Sequence, residues 1–160
     1  MTYDITRREV GDQPVVSIRD RVAASDMPAF IGRAFGELYG RLQVLAVPPT
    51  GEPLVLYHEF GPDGIDAEVC VPYAGDITAS GRIASRVLPA ATVAETLHVG
   101  PYDELPAAYA ALSGWIAEHG LESVGPVRER YLNAPGPGVS PADYRTVIQM
   151  PIVEAAVPAR

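Results

Sequence analysis

Two stretches of this chain carry one design, about 80 positions apart, and that duplication limits the folds open to it. Residues 25 to 45 place Ile31, Ala34, Phe35, Leu38, Leu42 and Leu45 at the three-and-four spacing of an amphipathic helix. Ser25 is the N-cap expected there, with Pro28 in the first turn. Residues 103 to 119 repeat this with Leu105, Ala108, Tyr109, Leu112, Trp115 and Ile116, an N-cap at Asp103 and a proline at Pro106. Gly120 supplies the stop. A β-prone run precedes each helix: residues 15–18 before the first, and 81–99, read as one long or bent strand, before the second. Two strand-like runs follow each helix, 54–60 with 67–72 and 127–132 with 144–151.

The order is β-α-β-β, said twice. Ser25 and Asp103 are separated by 78 positions, and the strand-ending Pro72 and Pro151 by 79. Pseudo-repeats of about 3–75 and 81–153 are too small to stand well alone, so one domain over 1–160 is expected, in which two half-sheets share a core. Gly75 to Gly81 connects the repeats, and the tail from Glu154 to Arg160 has no pattern and is expected to fray.

Charge narrows the function. Twelve basic residues, all Arg, face twenty acidic ones, for a net charge of −8. That balance repels phosphate and argues against direct nucleic-acid binding. The single cysteine, Cys70, cannot form an internal disulfide, which fits a cytoplasmic setting. No signal peptide or membrane span is read. His58, His98 and His119 lack metal-ligand spacing, and no phosphate-cradling glycine loop exists, so neither metal nor cofactor is expected. Eight Tyr stand against three Phe and one Trp, a balance that suits a polar-lined pocket better than a core.

Three segments carry a resemblance: His98-Val99-Gly100-Pro101-Tyr102-Asp103-Glu104-Leu105, Gly125-Pro126-Val127-Arg128-Glu129-Arg130-Tyr131-Leu132, and Arg145-Thr146-Val147-Ile148-Gln149-Met150-Pro151-Ile152. With Tyr57-His58-Glu59 and Asp66 to Pro72 of the first half, the chain resembles the GyrI-like, or bacterial effector-binding, domain family over roughly residues 3 to 153. The resemblance implies an α+β fold: a duplicated βαββ unit, an antiparallel barrel-like sheet, two main helices and a central ligand cleft between the repeats. It implies binding of bulky hydrophobic, aromatic or cationic small molecules, in multidrug sensing or sequestration. A subset of the family resembles hydrolases that open cyclopropanoid electrophiles. Many members carry an acidic residue after the last-strand Thr, where this chain has Val147, the repeat counterpart of Glu68.

Glu68 interrupts an apolar strand, either as a ligand counter-charge or raised-pKa base, or on a Glu68–Cys70 face open to solvent. Glu129 and Tyr131 share one strand face; Arg128 and Arg130 share the other, read as solvent-facing. Tyr102, Tyr109, Trp115 and Tyr57 complete the candidate ligand wall, while Phe35 reads as core.

Three functions follow. The first is a binding module whose carboxylates and aromatic rings take a planar cation, with a separate regulator as partner if it senses rather than sequesters. The second is a hydrolase in which Glu68 or Glu129 activates water. The third is a protein-interaction module.

Overall fold

The computed structural model describes residues 2–75, 77–133 and 135–156. The tail expected to fray from Glu154 is paired at its start, where Glu154 ends a strand opposite Leu121 and the Ala155 N–H donates to the Gly120 carbonyl, and 157–160 lie outside the described residues. Among the described residues there are two helices, α1 (Met27–Val44) and α2 (Leu105–Glu118), and nine strands. The strands are β1 (Thr6–Val10), β2 (Gln13–Val22), β3 (Leu54–Gly61), β4 (Gly64–Pro72), β5 (Ala84–Leu88), β6 (Ala91–Val99), β7 (Leu121–Ser123), β8 (Val127–Tyr131) and β9 (Arg145–Glu154). The fold is of the α+β class; each half runs two strands, a helix and two strands, with the short β7 added after α2, and all of its assigned strand pairs are antiparallel.

The chain divides into two units, Gly11–Ala90 and Met1–Val10 with Ala91–Arg160. In the first, the strands run β3-β4-β2-β5 and α1 packs on β2 and β4. In the second they run β1-β6-β9-β8, with β7 on the far end of β9 and α2 packed on β6, β7 and β9. Each leading strand therefore crosses over: β1 pairs with β6 (Thr6 opposite Glu95), and β5 pairs with β2 (Gln13 opposite Leu88). The run 81–99 is two strands rather than one, because Pro89 follows β5 with no N–H to extend a ladder.

Both helices start differently from expectation. Ser25 and Asp103 sit inside single 3-10 turns, Ala24–Asp26 and Tyr102–Glu104, and Asp26 and Glu104 take the cap positions without a side-chain cap bond. The prolines do occupy the first helical turn, where the absent N–H costs nothing. The buried face of α1 is Met27, Phe30, Ala34, Leu38 and Leu42; Ile31 and Phe35 are only half-buried flanks, and Leu45 falls past the end. On α2, Leu105, Ala108, Leu112 and Ile116 are buried against Ala94, Leu121, Ile148, Met150 and Ile152, with Tyr109 and Trp115 at the margins.

The tight turn between β3 and β4 depends on Gly64. Its φ is +120°, and a Cβ there would meet the Val22 carbonyl oxygen at 2.7 Å, so only glycine lets the two backbones approach. Arg128 and Arg130 correct the sequence reading: both are buried, at 3% and 7% exposure. Alternation places them on the face away from α2, and that face is not wet, since Val93 and Gln149 are buried there as well. Arg130 Nε donates to Gln149 Oε1 at 2.8 Å, Gln149 Nε2 to Glu95 Oε1 at 2.7 Å, and Arg8 Nη1 to Glu95 Oε1 at 3.3 Å, a polar chain across four strands.

Candidate functional site

The α2 side of the sheet in the 91–160 unit gathers four of the expected site residues. Glu129 opposes Ile148, which packs on α2, so its side chain rises from the same face. Tyr131, two positions on, shares that face. Glu129 is 6% exposed, and two phenols solvate it: Tyr109 of α2 donates to Oε2, and Tyr131 donates to Oε1 at 2.8 Å. A carboxylate buried without such donors is costly. Both of these donors are neutral hydroxyls.

Aromatic rings complete this cup. Tyr102 enters from the 3-10 turn before α2 and lies edge-on to Tyr131, with ring centres 6.0 Å apart. Tyr144 stacks on Tyr102 at 4.9 Å and 25°. Tyr102, Tyr131 and Tyr144 are all half-buried. Burial raises the Tyr102 phenol above its ordinary pKa, and Tyr144 and the Glu129 charge add to that, so the ring is a neutral hydroxyl at physiological pH. Sequence reasoning placed Tyr144 at the start of the last strand-like run but did not count it among the site residues. Its spacing from Thr146, Ile148 and Met150 was the available signal, an alternation that already marks one strand face.

Gly100 sets where this turn begins. Its φ is +139°, and a Cβ would meet Glu104 Oε2 at 2.9 Å and His98 Nε2 at 3.5 Å. The Glu104 carboxylate can swing aside, so the backbone strain is the larger penalty. Gly100→Ala is expected to lower stability by about 1 kcal/mol, roughly 3 °C in the thermal midpoint. An unchanged midpoint would show that the positive φ is not required. His98, wholly buried beside it, is satisfied on both nitrogens: Tyr3 Oη lies 2.8 Å from Nδ1 and the Pro101 carbonyl 3.1 Å from Nε2.

The other candidates stand elsewhere. Trp115 flanks the α2 core and stacks on His119 at 4.0 Å, not on the tyrosines around Glu129. Tyr57 and Glu68 belong to the 11–90 unit, where Tyr57 stacks on Phe60. Glu68 is 2% exposed, so its face is not open to solvent; Val15, Leu54, Leu56, Cys70 and Leu88 form an apolar cluster there. Arg86 of β5 holds it bidentately, Nε to Oε2 at 2.6 Å and Nη2 to Oε1 at 2.7 Å. His58 Nε2 lies 2.9 Å from Oε1, reached because a β-bulge between Tyr57 and Glu59 turns the imidazole toward β4. Burial pushes the Glu68 pKa up, but hydrogen bonds from Arg86, Ser17 and His58 together outweigh it and leave the carboxyl below its usual range. The raised-pKa base read from the sequence is thus corrected to a firmly ionised partner of Arg86. Among the described residues, no group of His, Cys, Asp and Glu is arranged to hold a metal ion.

The sequence model of the GyrI-like small molecule binding domain matches residues 1–153. Among solved structures, the chain is similar to the crystal structure of the EcmrR C-terminal domain at 26% identity and TM-score 0.84, covering 97% of this chain and 100% of that one. It is similar to EcmrR in a cryo-EM complex with DNA at 27% identity and TM-score 0.82, over 96% of this chain. There the chain spans only 58% of the EcmrR polypeptide. SAV2435 bound to tetraphenylphosphonium shares the fold at 17% identity and TM-score 0.65, with 96% and 94% of the two chains covered. None of the curated proteins matches this chain. No helix among the described residues is long and apolar enough to cross a membrane.

Proposed function

Because the chain belongs to the GyrI-like small-molecule-binding family, related to the effector-binding domains of transcription regulators, we propose that it binds bulky aromatic cations at Glu129. One observation carries this reading: a buried carboxylate solvated by the hydroxyls of Tyr109 and Tyr131, with the Tyr102 and Tyr144 rings beside it. A delocalised cation gains twice there, by charge pairing with Glu129 and by cation–π contact with the tyrosine faces. A planar or propeller-shaped hydrocarbon body buries apolar area at little desolvation cost. Tyr57, Glu68 and Trp115 stand outside this reading, Glu68 because Arg86 already matches its charge. Ligand occupancy would be read by a regulator protein or would simply sequester the compound. The single buried cysteine supports action in the cytoplasm.

Calorimetric titration with tetraphenylphosphonium, beside its neutral relative triphenylphosphine oxide, tests the proposal. Saturable binding of the cation is expected, at least about tenfold tighter than the neutral compound. Equal affinities, or no binding of the cation, would overturn it.

A further inference from the structure

Thr146 is wholly buried, and its hydroxyl has no hydrogen-bond partner among the described residues. It lies on β9 between His98 of β6 and Tyr131 of β8. Alternation puts it on the face of Ile148, hence on the α2 side with Glu129. Tyr144, stacked on Tyr102, stands two positions before it.

Its polar neighbours on that face are answered. The Tyr131 hydroxyl donates to Glu129, both His98 nitrogens have partners, and the Thr96 hydroxyl donates to the Asp4 carbonyl at 2.8 Å. A buried hydroxyl with no partner is a standing penalty, and valine would remove it while keeping the side chain's shape. Groups that lower stability without structural return concentrate at functional sites.

The geometry points to Thr146 as a ligand-reading residue: its hydroxyl donates to an oxygen or nitrogen acceptor carried by the bound cation. This rests on the cation-binding reading of Glu129 and narrows its ligand class to aromatic cations that bear a hydrogen-bond acceptor near the charged ring. Tyr144, two positions before Thr146, and the Tyr102 ring stacked on it are both half-buried. A cation clad only in hydrocarbon satisfies Glu129 and the rings and leaves Thr146 unanswered.

Thr146→Val and Thr146→Ser, measured with two cations, decide it. Tetraphenylphosphonium has no acceptor; berberine, a planar quaternary cation, carries ether oxygens. Thr146→Val is expected to raise the unliganded melting midpoint by about 3 °C, through loss of the unpaired hydroxyl. It should leave tetraphenylphosphonium within about twofold and weaken berberine about fivefold, and Thr146→Ser should restore berberine. A lowered midpoint in Thr146→Val would overturn the inference, since the hydroxyl would then be structurally employed. So would equal losses for both cations, or an unchanged berberine affinity in a protein that binds both. If the wild-type protein binds neither cation, the Glu129 reading itself has failed and the role of Thr146 falls with it.

Discussion

Glu129→Gln is expected to weaken tetraphenylphosphonium binding about 10- to 100-fold, the worth of a charge-assisted contact in a desolvated site. The substitution nearly preserves shape, so the effect comes from charge. The amide oxygen still accepts from one of the phenols of Tyr109 and Tyr131, and the amide nitrogen can donate to the other phenol oxygen. Folding should therefore survive, with the thermal midpoint close to that of the parent. The neutral triphenylphosphine oxide supplies the control, because it meets the same rings and feels no charge. A loss confined to the cation assigns the carboxylate an electrostatic role in binding. An equal loss for both compounds would instead make Glu129 a support for the tyrosines and sink the counter-charge reading.

Arg86→Ala should destabilise the protein by about 2–3 kcal/mol, at and just below the lower end of the range for breaking a buried ion pair. The discount arises because the Arg86 side chain is 38% exposed, so water replaces part of what it gives, whereas Glu68 is left at 3% side-chain exposure. The midpoint should fall by about 5–10 °C. The dependence on pH has a definite sign. The folded Glu68 carboxyl titrates below its ordinary value, so its contribution is present above the unfolded carboxylate range and is lost as pH falls through the folded value. Removing Arg86 leaves burial as the main influence and takes away that low-pH dependence. The gap between parent and variant should thus be widest near pH 7 and shrink in acid below about pH 4. A gap that stays constant down to pH 3 would show that Arg86 acts by packing and not by holding the Glu68 charge.

The contrast between these two carboxylates was hidden in the sequence. Both sit in strands, and both looked like candidate pocket acids. What separates them is long-range: Arg86 reaches Glu68 because β5 turns off at Pro89 and pairs with β2 beside β4. Reading residues 81–99 as one strand removed that partner from view. The duplication itself, the two helices and the shared face of Glu129 and Tyr131 were legible, because each depends on local spacing or on one strand's alternation, whereas Tyr102 and Tyr109 were read in one wall with Tyr57 and Trp115, which stand elsewhere. Arg128 and Arg130 were misread for a related reason. Alternation says which residues share a face, but not whether that face is wet. Thr146 escaped notice because a threonine in a strand is unremarkable until its hydroxyl is seen to lack a partner.

The crossing of the leading strands bears on how the chain is made. The unit of residues 11–90 is contiguous, so its strand partners have all been synthesised once β5 has left the ribosome. β1 comes earlier than any of them, yet its partner β6 lies on the far side of that whole unit. At ordinary elongation rates of about 5–20 residues per second, β1 waits roughly 5–20 s with its hydrogen-bonding edge unsatisfied. Its sequence suits that wait: Thr6-Arg7-Arg8-Glu9-Val10 carries three charges in five residues, the composition that keeps an unpaired strand from finding the wrong neighbour. The proposed ligand site draws on Tyr102, Tyr109, Glu129 and Tyr131, all of which follow the 11–90 unit along the chain.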